Sequence, residues 1–289
     1  MTTPELTLAI TTRDRIDLID ETLAAVADQT WDGDWDVLVI DNGSSDGTAD
    51  RVRSWLDRMP VPARLVTADE RHNPSYSRNA AVANTEARSV AFVDDDDVIG
   101  DGWVAAIGDA LREHEFVGSR MEYRRLNRGA LADAVPFQSA RLGRHFGVPI
   151  VDSAGSGCRR TLWARVGGSD EAFRNSQDVD FSLRVAQHTD VTPHFCEDAV
   201  YHARRRAGFL SSYRRGVRRG RAEVQLHETH GARIGANADN LVIAVARWVR
   251  LAGQSTWLFS TSRRMIWAEN AGRRVGRLRG SIDRRVWFP

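Results

Sequence analysis

The stretch Ser89-Val90-Ala91-Phe92-Val93-Asp94-Asp95-Asp96-Asp97-Val98 limits what this chain can become more than any other. An apolar run rich in β-branched and aromatic residues stops in four consecutive carboxylates. The first half reads as a buried strand. The second half cannot enter a core, because an unpaired buried carboxylate is far costlier than a buried neutral polar group. The carboxylates therefore belong in a cleft at the strand's carboxyl end, where open α/β sheets bind ligands. Hard divalent cations take oxygen ligands, so Asp94 and Asp96, or a neighbouring pair, suit Mg²⁺ or Mn²⁺ held against a diphosphate. The plain alternative is a solvated loop rich in aspartate.

The preceding chain supports a sheet. Leu6, Leu8 and Ile10 alternate as in a strand and run into Thr11-Thr12-Arg13-Asp14, after which Ile16, Ile19, Leu23 and Val26 recur at helical spacing. Val37-Leu38-Val39-Ile40 is a second buried strand, entering the polar loop Asp41-Asn42-Gly43-Ser44-Ser45-Asp46-Gly47-Thr48. Val52, Trp55, Leu56 and Met59 restart a helical face, which Pro60 and Pro62 end. A third strand over residues 63–67 leads to the loop His72-Asn73-Pro74-Ser75-Tyr76-Ser77-Arg78-Asn79 and a short helix over 80–85. The pattern β-α-β-α-β-α-β predicts an α/β fold, with a mostly parallel central sheet flanked by helices and its polar loops on one rim. No Gly-x-Gly-x-x-Gly follows the first strand and no Walker sequence is present, which disfavours a dinucleotide-binding or P-loop enzyme.

Beyond the acidic run, residues 102–111 read as a helix and 116–121 as a strand, while 124–150 read as an irregular, arginine-rich segment, either mobile or on the acceptor side. Asp152-Ser153-Ala154-Gly155-Ser156-Gly157-Cys158 is built of small residues, so its backbone could approach a ligand closely. Residues 161–166 form a short helix ending at Gly167-Gly168. Ser176 is a reasonable N-cap that places Asp178 in the first turn of a helix, where the macrodipole favours an ionised carboxylate.

The order of these motifs resembles the family 2 inverting glycosyltransferases of the A-type nucleotide-sugar fold, over residues 6–202. The matching stretches are Leu8-Ala9-Ile10-Thr11-Thr12-Arg13-Asp14-Arg15, Val39-Ile40-Asp41-Asn42-Gly43-Ser44-Ser45-Asp46-Gly47-Thr48, Ser77-Arg78-Asn79, Phe92-Val93-Asp94-Asp95-Asp96-Asp97 and Gln177-Asp178-Val179-Asp180-Phe181-Ser182-Leu183-Arg184. The resemblance implies that Thr11, Arg13, Asp41 and Asn42 hold the base and ribose of a nucleotide-diphosphate sugar of UDP, dTDP or GDP type. It implies that Asp94 and Asp95 meet the donor, with Asp96 and His202 on Mn²⁺ or Mg²⁺ and Arg78 as a fixed positive charge beside the diphosphate. Asp178 takes the part of general base for the acceptor hydroxyl. Gly155, Ser156, Gly157, Trp103 and Gln177 fall on the acceptor or donor-sugar side. Asn42 stands where the family often has an aspartate that pairs with uracil, and Gln177 stands where a glutamate is usual.

Net charge is +1, yet residues 1–202 hold 21 arginines against 34 carboxylates and residues 203–289 hold 19 against 5, with no lysine anywhere. The division predicts a catalytic domain over 1–205 and a basic, mainly helical extension over 206–289. Aromatics among its arginines (Trp257, Trp267, Trp287 and Phe288) suit a peripheral membrane contact, or packing on the body or in a homo-oligomer. No nucleic-acid-binding motif accompanies them. Two cysteines, no secretory signal and no long uncharged apolar run predict a cytoplasmic protein, peripheral at most to the inner face of a membrane. The reading is a metal-dependent inverting transferase acting on a glycan, lipid-linked or small-molecule acceptor. Its rivals are a retaining transferase and a non-catalytic nucleotide-sugar-binding scaffold.

Overall fold

A computed structural model describes residues 3–129, 139–205, 208–234, 241–260 and 263–288. The chain divides into two compact units, residues 1–122 with 138–204, and residues 123–137 with 205–289.

In the first unit, β1 (Leu6–Thr12), β2 (Trp35–Asp41), β3 (Ala63–Thr67) and β4 (Ser89–Asp94) run parallel in the order β3-β2-β1-β4. β1, β2 and β4 read as nearly continuous apolar runs because both of their faces are covered. The crossovers carry α1 (Ile19–Ala27), α2 (Thr48–Leu56) and α3 (Pro74–Ala83). Ile19, Leu23 and Val26 of α1 are fully buried, as their spacing requires. α3 begins six residues before the expected helix, at the proline of the supposed loop. Asn73 caps it by accepting from the Ser75 backbone N–H, and Pro74 occupies the first turn, where its missing N–H costs nothing. Ser77, Arg78 and Asn79 therefore project from a helix.

The second half extends the sheet through β5 (Val98–Ile99), β6 (Phe116–Glu122), β9 (Ser156–Arg159) and β10 (His194–His202), giving the order β3-β2-β1-β4-β9-β6-β10-β5. Only β9 and β5 are antiparallel to their neighbours. Helices α4 (Trp103–Glu113), α5 (Arg160–Arg165) and α6 (Gln177–His188) complete the unit. The span expected to be irregular contains a two-stranded hairpin, β7 (Gly143–His145) with β8 (Val148–Ile150); its residues 130–138 lie outside the described residues.

The second unit contains α7 (Phe209–Ile234), α8 (Leu241–Gly253), a 3₁₀ turn (Ser255–Phe259) and α9 (Arg263–Arg284). Glycines at four-residue spacing bring α7 and α9 into backbone contact. A Cβ on Gly216 would fall on the Glu269 carbonyl, one on Gly220 on the Arg273 carbonyl, and one on Gly276 on the Val217 carbonyl. Glu223, almost wholly buried, joins Arg273 at 2.5 Å and Arg277 at 2.7 Å. Burial pushes its carboxyl up, but the two guanidinium groups outweigh that and hold it below the ordinary range. Two aromatics expected at a membrane interface belong to this packing instead. Phe288 is buried against Arg277 and His227, and the Trp267 indole donates to the Leu251 carbonyl.

Overpacked helix contacts typically cost about 1–3 kcal/mol. The double substitution Gly216→Ala/Gly276→Ala is expected to destabilise the second unit by about that much, read as a lower urea midpoint of its helical signal.

Candidate active site

Adjacent strand ends build the site. Thr12 lies opposite Asp41 and Thr11 opposite Asp94 in the sheet register, so the loops after β1, β2 and β4 share one rim. Hydrogen bonds lace them together. The Arg13 backbone N–H donates to Asp95 at 3.2 Å, and the Arg15 Nε to the other Asp95 oxygen at 3.1 Å. Arg15 also lies 3.9 Å from Asp96. Asp41 is buried and accepts from the backbone N–H and hydroxyl of Ser44, which shapes its loop. The Arg13 side chain is exposed.

The Asn42 side chain is engaged by backbone. Its amide donates to the carbonyls of Ala68 and Arg71, and its Oδ1 accepts from the Asn73 N–H. All three bonds go to backbone, so the side chain holds two loops together.

The acidic run is answered by cations from distant segments. Arg78, 5% exposed, reaches Asp94 at 2.8 Å, while its Nε and Nη1 are buried with no hydrogen-bond partner among the described residues. Arg204 donates its backbone N–H to Asp97 at 2.8 Å, its Nε to the Asp96 carbonyl at 3.0 Å and a terminal nitrogen to Glu21 at 2.6 Å. Burial, only partly offset by Arg15, raises Asp95 to about 6. Burial, reinforced by Asp94, raises Asp97 to about 8. Arg15 and Arg204 were not singled out in the sequence, because arginines are frequent in this chain and these two reach the acidic loop only through the fold.

Arg78 also lines a narrow cleft with Ser156, Trp163, Gln177 and Asp178. Asp178 opens α6 as expected, but the local geometry differs. Ser176 adopts a left-handed backbone (φ 59°) and its side chain makes no capping bond. Asp178 accepts from the Val179 N–H at 2.9 Å. Despite the helix start and Arg78, burial dominates and raises its proton affinity above that of an ordinary aspartate. Asp180, fully buried on the same turn, pairs with Arg184 at 2.7 Å, which in turn donates to the Val166 carbonyl and ties α6 to the Gly167 turn. Asn79 and Asn73 hold the following loop by donating to the Ser169 and Glu171 carbonyls.

Three expected site residues are packing residues. Trp103 is fully buried and donates to the Ser119 hydroxyl at 2.9 Å, so no sugar can stack on it. A Cβ on Gly155 would strike the Tyr201 ring, and one on Gly157 would meet Leu111 and Ile107, so these glycines make room for core side chains. Of that segment Ser153, Ser156 and Cys158 line the cleft. His202 holds Glu122 through Nδ1 at 2.6 Å. Among the described residues no three His, Cys, Asp or Glu side chains are grouped to hold a metal ion. A second, polar hollow, between His114, Arg165 and His188, opens at the amino ends of β6 and β10, away from the ligand-binding rim of such sheets.

Residues 7–162 match the family model described as glycosyl transferase family 2. Validoxylamine A glucosyltransferase of Streptomyces hygroscopicus subsp. jinggangensis (strain 5008) is 33% identical over 105 residues, covering 36% of this chain and 25% of that protein. The chain spans less than a third of the length of the first curated relatives it matches. The mannosyltransferase PcManGT from Pyrobaculum calidifontis, solved in complex with GDP-Man and Mn²⁺, has a TM-score of 0.63 at 19% identity, covering 96% of this chain and 88% of that one. S. aureus TarS 1-349 in complex with UDP-GlcNAc has a TM-score of 0.55 at 16% identity, covering 99% and 93%. At these identities the two structures share the fold.

The raised pKa values set the sign of a pH effect. Between the ordinary aspartate value of 3.8 and about 8, the folded state holds protons on Asp95 and Asp97 that the unfolded state has released. Stability is therefore expected to fall as pH rises from about 4 to about 8 in the presence of a chelator. Asp97→Asn keeps an acceptor for the Arg204 N–H and is expected to flatten the part of the fall above pH 6, in urea midpoints measured across that range.

Proposed function

This chain belongs to glycosyl transferase family 2, and from that premise we propose that it moves a sugar from a nucleoside-diphosphate donor to an acceptor hydroxyl in a single inverting displacement. The observation that supports this reading most is Arg78, a buried guanidinium that pairs with Asp94 of the acidic loop and borders the cleft of Asp178. On this reading it sets a fixed positive charge beside both a donor-side carboxylate and Asp178, the half-buried candidate base.

On this reading the donor nucleotide lies on the rim formed by Thr11, Arg13 and the Asp41 loop, and the diphosphate approaches Asp94 and Asp95. Asp94 and Asp96 offer the carboxylate oxygens that Mn²⁺ or Mg²⁺ prefers, and a cation would supply the positive charge that the crowded loop lacks. With no group of three protein ligands among the described residues, the donor set fits an ion held by one or two carboxylates and the donor's own phosphates. Bound there, the ion would act as a Lewis acid toward the departing diphosphate. The unpartnered Nε and Nη1 of Arg78 are preorganised donors for the same developing charge.

Asp178 takes the proton of the acceptor hydroxyl as that oxygen bonds to C1 and the C1–O bond to the diphosphate breaks. Burial strengthens Asp178 as a base but also demands that it be ionised first, so turnover follows its deprotonation. Gln177 and Ser156 border the space the acceptor would enter. Glu122 fixes the His202 ring, and no part in ion binding is assigned to His202. The catalytic role is assigned to the first unit.

Asp178→Asn is expected to keep donor affinity and lose about 10²–10⁴-fold in kcat. Full turnover by that variant would remove Asp178 as base. Wild-type kcat is expected to rise with pH through a value above 3.8, the ordinary aspartate pKa. Proton NMR of the first product formed is expected to show an inverted anomeric centre, and retained configuration would contradict a single displacement.

A further inference from the structure

The region after α7 exposes apolar surface that the sugar-transfer reading does not use. α8 turns Ala244 and Leu251 inward and leaves Leu241, Val245, Trp248 and Val249 exposed. These four follow the spacing i, i+4, i+7, i+8, so they form one stripe along the helix. The adjoining 3₁₀ turn carries Phe259, 93% exposed. Water-soluble monomers seldom present a contiguous stripe of this kind without a partner for it.

Charge identifies the partner. Residues 241–268 contain four arginines and no carboxylate. Arg250, Arg263 and Arg264 are exposed. Arg247 and Arg274 each keep a buried guanidinium nitrogen with no hydrogen-bond partner among the described residues. Arg274 has Arg277, Arg273 and Arg247 for neighbours, and burial followed by their charges lowers it to about 10. A second copy docked on the same face would bring these cations against their own images with no acid between them, because a twofold interface pairs one patch with itself. An anionic surface suffers no such repulsion. Thirteen residues of helix extend about 20 Å, short of the roughly 30 Å hydrocarbon core of a bilayer. Among the described residues no helix is long and apolar enough to cross a membrane. A helix of this length and pattern lies flat.

We propose that α8 and the Ser255–Phe259 turn form a docking surface for an anionic phospholipid bilayer, with the apolar stripe at the acyl boundary and the arginines against headgroup phosphates. The surface is independent of the sugar-transfer chemistry and stands or falls without it.

Co-sedimentation of the full chain with vesicles tests it, using phosphatidylcholine alone and phosphatidylcholine containing about one quarter phosphatidylglycerol. Binding is expected with phosphatidylglycerol, weaker as salt is raised and at least about tenfold weaker on phosphatidylcholine alone. Val245→Glu/Val249→Glu is expected to reduce partitioning by about tenfold or more. Val245→Gln/Val249→Gln is expected to reduce it in the same direction, which isolates the apolar contribution from charge. Arg250→Gln/Arg263→Gln/Arg264→Gln is expected to abolish the preference for phosphatidylglycerol. All these positions are exposed, so unchanged urea midpoints are expected and serve as the folding control. The proposal is overturned by no binding to phosphatidylglycerol vesicles, by equal binding to both compositions, or by undiminished binding of the glutamate variant. Light scattering that shows a wild-type dimer split into monomers by Val245→Glu/Val249→Glu would overturn it too, assigning the face to a second copy.

Discussion

Four carboxylates in a row at the end of a buried strand repel one another and lose hydration, and the chain answers with donors from three distant segments. Arg15 follows β1, Arg78 projects from α3 and Arg204 follows β10, and each reaches a different part of the run. The compensation is incomplete. Asp95 and Asp97 still hold protons more tightly than ordinary aspartates because burial outweighs the charges supplied. The loop is left short of positive charge at the carboxyl end of a central parallel strand, the place where open α/β sheets bind ligands and where the proposed metal–diphosphate would sit.

Arg78 links this loop to the second half of the fold. It is buried on the face of α3 that also borders the cleft under α6, so its guanidinium serves Asp94 and leaves two nitrogens unsatisfied. Leaving buried donors unmade costs stability, and such groups call for an explanation. The proposed diphosphate would provide one. The same crowding makes Asp178 a stronger base than its position at a helix start alone would give, since there burial works against the helix dipole and Arg78 and prevails. α6 is held in register by Arg184 between Asp180 and the Val166 carbonyl, so the placement of Asp178 rests on a buried ion pair one turn away.

Much of this was legible in the residues. The first four strands announced themselves because parallel strands covered on both faces are unbroken apolar runs, and their polar sequels marked the rim. Arg78, Asp94 and Asp178 were legible as motif residues, though their convergence needed the fold. β9 was hidden because Ser156, Gly157 and Cys158 lack the bulk that marks a strand, and their small size reflects the crowding of Leu111 and Ile107 above them. The resemblance points Asn42 at the nucleotide, while its three bonds to backbone join segments about thirty residues apart and leave no local signal in the sequence. Trp103 and Phe288 gave no sign of which side they faced, as an indole or a phenyl ring suits a core and a ligand site equally. The glycine spacing at Gly216, Gly220, Gly272 and Gly276 did carry the signal of touching helices, hidden in an arginine-rich stretch that reads first as a solvated tail.

The central claim is that one crevice, with Arg78 in it, is built for a nucleoside diphosphate. Calorimetric titration of the full chain with UDP, dTDP and GDP, each with and without Mn²⁺, in wild type and Arg78→Gln, tests it most directly. The account predicts that at least one of the three binds, that Mn²⁺ tightens it, and that Arg78→Gln weakens it by about tenfold or more, the size of a lost charge-assisted hydrogen bond. Failure of all three to bind under either condition, or an affinity indifferent to Arg78, would contradict it.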